Sequence, residues 1–73
     1  MTVTPTSGEA AALNSVLGLD VEPGVSIDIP DKLITDAIDD LGRKTKWPGT
    51  KSFHHEAAYH QELFTRMAAR ASV

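Results

Sequence analysis

A chain of 73 residues with ten acidic and seven basic side chains, a net charge of −3 and no cysteine makes one small domain at most. The missing cysteines exclude a disulfide framework and thiolate zinc sites, and no apolar run approaches the roughly 18 residues that span a bilayer. The first residues show neither the basic region nor the apolar core of a signal peptide, so a cytoplasmic protein away from membranes is expected. A domain this small buries only about 60–65% of its unfolded surface, which leaves oligomerisation as the expected stabilising device.

Charge is distributed unevenly. Residues 1–42 hold eight carboxylates against Lys32 alone, whereas residues 43–73 hold six cations against Glu56 and Glu62. Halves of opposite sign can attract one another within a fold or between subunits, or face different partners.

Residues 1–24 read as a flexible N-terminus containing a short helix and a connector, and residues 25–73 as a strand-helix-helix domain. Thr2 to Ser7 is short of apolar anchors and is expected to be loose. Thr6 and Glu9 fit a capping box that opens a helix from about Gly8 to Leu17, with Ala10, Leu13, Val16 and Leu17 on its apolar side. Gly18 stands where a left-handed residue would close it. After the Pro23-Gly24 turn, Val25-Ser26-Ile27-Asp28-Ile29 alternates as a half-buried strand does, with the three aliphatics inward. A lone strand cannot satisfy its own N–H and C=O groups. The expected partner is the same strand of a second copy, which makes the folded unit a homodimer.

Pro30 and Asp31 suit the start of a second helix, in which Leu33, Ile34, Ala37, Ile38 and Leu41 recur on one face and Asp36, Asp39 and Asp40 on the other. Gly42 either ends this helix or sits inside it. The weak stop after it favours one further turn. Lys46-Trp47-Pro48-Gly49-Thr50-Lys51 is the main loop. Ser52 is expected to cap a last helix running to about Ala69, with Phe53, Ala57, Leu63, Phe64, Met67 and Ala71 as its stripe.

From Val25 to Met67 this order resembles the ribbon-helix-helix family of dimeric DNA-binding proteins. Val25 to Ile29 resembles the family's strand, Ile29-Pro30-Asp31-Lys32-Leu33 its strand-to-helix junction, and Ser52 onwards its second helix. The resemblance implies a mainly α fold with one short strand paired across a homodimer, here with an added N-terminal helix. It also implies a small regulator that reads duplex DNA through outward strand residues. Those positions here are Ser26 and Asp28, where the family commonly carries arginine, lysine, threonine, asparagine or glutamine. The loop around Trp47 is also a few residues longer than the family's turn.

On this reading Ser26 and Asp28 face the DNA groove, Lys44, Lys46 and Lys51 contact phosphates, and Ser52 offers a helix terminus to another phosphate. The plainer alternative is a solvated basic linker balancing the aspartates, with Trp47 folded onto the core. A second class of function is an adaptor or assembly subunit that binds a larger protein through Trp47, Phe53, Leu63, Phe64 and Met67. His54, His55, Glu56 and His60 share one helix, but His55 and His60 are five apart and the His-Glu-x-x-His pattern is absent, so no metal is expected. No nucleophile motif or phosphate-cradling glycine loop is present either. Neither cofactor nor catalysis is expected.

Overall fold

The computed structural model describes residues 1–71, so the last two positions of the expected 25–73 domain lie outside the described residues. The order is β1 (Thr2–Val3), α1 (Ser7–Leu17), β2 (Ile27–Asp28), α2 (Asp31–Lys44) and α3 (Lys51–Ala71). Three helices therefore carry most of the chain, with a two-stranded antiparallel sheet beside them.

The capping box at α1 forms as its sequence dictates. The Thr6 hydroxyl accepts from the Glu9 N–H at 3.3 Å, and the Glu9 carboxylate accepts from the Thr6 N–H at 3.0 Å. Gly18 closes the helix at φ 68°, a left-handed conformation that a side chain would strain. The connector is then clasped back onto α1. The Asn14 amide donates to the Val21 carbonyl at 3.1 Å, and its oxygen accepts from the Val21 N–H at 2.9 Å. Gly24, at φ 79°, donates to the Pro5 carbonyl at 2.9 Å. These bonds return the chain to its own beginning.

There the strand finds its partner. Thr2 pairs with Asp28 and Val3 with Ile27, and the Ile29 N–H donates to the Met1 carbonyl at 2.8 Å. The residues expected to be loose thus supply β1, and Val3 is 3% exposed. The strand is also shorter than its alternation suggests. Ile29 is buried and Ile27 half-buried, but Val25 faces solvent rather than the interior.

α2 passes through Gly42 and ends at Lys44, with Thr45 as its C-cap. Its buried face comprises Ile34, Ala37 and Leu41, while Leu33 is 36% exposed. α3 begins one residue before the expected Ser52, because Thr50 caps it: the Thr50 hydroxyl accepts from the Phe53 N–H at 3.3 Å. The core joins Val3, Leu13, Ile29, Ile34 and Leu41 to Leu63, Phe64 and Met67 of α3. Phe64, Leu13, Ile34 and Met67 are its largest fully enclosed side chains.

Candidate protein-binding surface

The fourteen-residue α2, about 20 Å long, separates the residues expected to contact DNA into two groups. At its start lie Ser26 and Asp28. The Ser26 hydroxyl is hydrogen-bonded to that of Thr4 at 2.6 Å, and both residues are exposed. Asp28 stands beside Asp31 and the Met1 amino group, which contacts both carboxylates, at 3.5 Å and 2.7 Å. This end is acidic.

At the other end of α2 the chain turns through Thr45, whose hydroxyl donates to the Gly42 carbonyl at 2.7 Å, and through Lys46, whose N–H donates to the Arg43 carbonyl at 3.0 Å. Trp47 follows, 51% exposed, with its ring stacked on Phe53 at a centroid separation of 6.1 Å and an interplanar angle of 17°. The His54 Nε2–H donates to the Trp47 carbonyl and fastens the loop to the first turns of α3. Trp47 is therefore not folded into the core. Phe53, placed by its sequence on the buried stripe, is 39% exposed.

The other residues expected on a partner-binding face of α3 are placed differently. Leu63, Phe64 and Met67 are buried against α1, α2 and β1, so they hold this chain together and offer no surface to a partner. Only Trp47 and Phe53 of that group face outward. Ser52 lies inside the first turn of α3 rather than at its cap. It is exposed but does not occupy the helix-terminal position expected of it.

Beside the aromatic pair, α1, α2 and α3 enclose a cleft of about 390 Å³. Val16, Leu41, Phe53 and Ala57 give it apolar walls, and Ser15, Lys44, Glu56 and His60 its polar ones. In the sequence Ser15 carries no site signal, Glu56 and His60 read only as part of a histidine-rich stretch set aside as a metal site, and Val16, Leu41 and Ala57 read only as core positions. They approach one another through the packing of three helices, for which the sequence carries no local signal.

Ion pairing sorts the cations. Lys32, Arg43 and Lys44 each meet a carboxylate four residues earlier or later on α2, Arg66 meets Glu62 on α3, and Arg70 meets Glu9 across the fold. Among the described residues, Lys46 and Lys51 are left without a carboxylate, and they flank Trp47 on either side in the chain. Lys51 also opens a helix with no acidic residue in its first turn, at the end where the macrodipole disfavours positive charge.

No described helix is long and apolar enough to cross a membrane, and no group of three or more histidine and carboxylate residues among those described could hold a metal ion. The chain matches no family model, no characterised protein and no solved structure. Its functional reading therefore rests on this geometry.

Proposed function

We propose that this protein is a non-enzymatic adaptor or assembly subunit that binds a larger protein through the α2–α3 loop and the cleft beside it. One observation carries the reading: Trp47 lies half in solvent, stacked on a Phe53 that is itself exposed, so that two aromatic rings stand together on the surface. Exposed aromatics beside a cleft are the side chains that dominate protein interfaces, since a ring contributes a large apolar area at little conformational cost. The contact face is the start of α3 and the loop before it, not the later turns that form the core.

The test is capture from an extract of the cell that makes the protein, followed by crosslinking, with wild type and Trp47→Ala compared. A partner held by the wild type and lost with Trp47→Ala supports the reading. Identical captures by both proteins would remove it.

A second reading is a small dimeric regulator of the ribbon-helix-helix kind acting on duplex DNA. It is favoured by the uncompensated Lys46 and Lys51 near the capped start of α3. Antiparallel pairing also turns the backbone of Asp28 away from β1, towards a possible second strand. The acidic ribbon end weighs against it, because Asp28 and Asp31 would stand near phosphates. Light scattering that returns a monomer, together with no retardation of DNA at about 50 mM salt, would exclude it.

A further inference from the structure

We infer that the open edge of β2 takes up an extended basic segment of a partner protein as a third strand, a second docking surface that does not depend on the one around Trp47. The register decides which backbone groups are on offer. Thr2 lies opposite Asp28 and Val3 opposite Ile27, and the Ile29 N–H donates to the Met1 carbonyl at 2.8 Å. Residues of an antiparallel ladder alternate in the direction of their backbone groups. Ile27 and Ile29 therefore turn theirs to β1, while Ser26 and Asp28 turn theirs away from it. The sheet has two strands, and no described strand lies on that outer side. Ser26 and Asp28 are both exposed, and Val25, which leads into them, is 49% exposed. An incoming strand finds the N–H and C=O groups of both residues without a ladder partner, the arrangement that β-augmentation uses.

Charge decides the occupant. The side chains of Asp28 and, beside it, Asp31 are 86% and 76% exposed. The Met1 amino group contacts them at 3.5 Å and 2.7 Å, one cation for two carboxylates. Glu22, whose carbonyl accepts the Val25 N–H at the turn into the strand, is exposed and adds a third acid. The neighbouring Lys32 is held by Asp36 at 2.7 Å. A short, charged edge strand discourages pairing with other copies of the same chain. A second β2 would bring another Asp28 and Asp31 to this edge, and like charges on paired strands destabilise them. A lysine or arginine on the incoming strand instead meets an unbalanced carboxylate. Side chains alternate along a strand, so basic residues at every second position all fall on the face that carries Ser26 and Asp28. This edge stands at the opposite end of α2 from Trp47, which gives the protein two separate contacts, as a subunit bridging two partners needs.

The test is amide hydrogen exchange, read residue by residue by NMR, with three probes: a short peptide alternating lysine and threonine, the same peptide with glutamate for lysine, and the lysine peptide with its backbone amides N-methylated. The lysine peptide should slow exchange of the Ser26 and Asp28 amides by at least about tenfold. The other two should not. Asp28→Lys should transfer the protection to the glutamate peptide, and the side chain is exposed, so folding is preserved. Trp47→Ala should leave the effect of the lysine peptide unchanged. Equal protection by the glutamate peptide overturns the basic assignment, and equal protection by the N-methylated peptide overturns strand pairing. Loss of the effect in Trp47→Ala overturns its placement on β2. Protection of the same amides that rises with protein concentration, with no peptide present, overturns the inference in favour of a second copy. No protection by the lysine peptide up to about 1 mM overturns it outright, and capture from the extract decides separately whether the surface around Trp47 stands.

Discussion

Glu9 and Arg70, 61 positions apart, form a two-pronged ion pair that fastens the first turn of α1 to the last turn of α3. Arg70 Nη1 donates to Oε2 at 2.8 Å and Nη2 to Oε1, which also accepts the Thr6 N–H that completes the capping box. The planar guanidinium fork matches a carboxylate in this way, as a lysine could not. Glu9 is 2% exposed, so its charge depends on these partners in place of water.

Arg70→Met should therefore destabilise the fold by about 1–3 kcal/mol, since it leaves a buried carboxylate with only its cap contacts. Glu9→Gln should cost less, because glutamine also serves at the third position of a capping box. The double variant should show the two changes to be coupled by thermal denaturation. Arg66→Met is the control: its pair with Glu62 is solvent-exposed and should be worth under about 1 kcal/mol.

Acid should weaken the same tie. Hydrogen bonds from Arg70, assisted by the Thr6 N–H, outweigh burial and hold the Glu9 carboxyl below its ordinary value. A depressed folded-state value means the pair's contribution is fully present above the unfolded glutamate value of about 4.3. It is lost as pH falls through the lower folded-state value. Melting curves of wild type and Glu9→Gln should run at a constant separation above about pH 5.5 and converge as pH falls below the ordinary carboxylate range. A separation that persists unchanged into strong acid would mean that Glu9 is not the titrating group.

The division of α3 and the loop before it into a core stripe and an exposed start predicts opposite outcomes for Phe64 and Trp47. Phe64 is fully buried, so Phe64→Glu should abolish the cooperative melt. Trp47→Ala should change stability by no more than about 1 kcal/mol. Circular dichroism melts of the two variants make the comparison. A folded Phe64→Glu protein would return that residue to the surface where the sequence left it as an option.

Gly42 tests a close approach. A Cβ built there would lie 2.7 Å from the Gln61 amide nitrogen, which donates to the Ile38 carbonyl at 3.2 Å. Gly42→Ala gains about 1 kcal/mol of helix propensity but displaces a hydrogen bond of similar worth. Alone it should be close to neutral. In a Gln61→Ala background it should stabilise by about 1 kcal/mol, read from urea unfolding midpoints.

β1 is the least expected element and the simplest to probe. Val3→Asp would place a carboxylate at a position 3% exposed, in contact with the core. It should lower stability by at least about 2 kcal/mol, whereas Thr4→Asp, on an exposed neighbour, should not. Equal melting temperatures for the two variants would show that the first residues are as loose as their composition suggests.

Local rules determined what lies within a few residues of its cause. The capping box of Thr6 and Glu9, the left-handed Gly18 and the apolar period of α2 follow from bonds and contacts spanning three or four positions, and they were legible in the sequence. The weak stop after Gly42 also favoured extending α2 past it, but nothing local revealed the Gln61 amide that fills the space beside that glycine. The partner of β2 was not legible, because two residues such as Thr2 and Val3 have no periodicity, and their pairing depends on a connector clasped by Asn14 and Gly24. Nothing near Arg70 in the sequence pointed to Glu9, which only the packing of α3 brought to it. The candidate surface divides in the same way. Trp47 and the lysines around it were visible as a basic aromatic loop, but Phe53 and Phe64 carry the same apolar signal on one helix. Only the elements packed against each ring decide which is covered, and those elements come from distant parts of the chain.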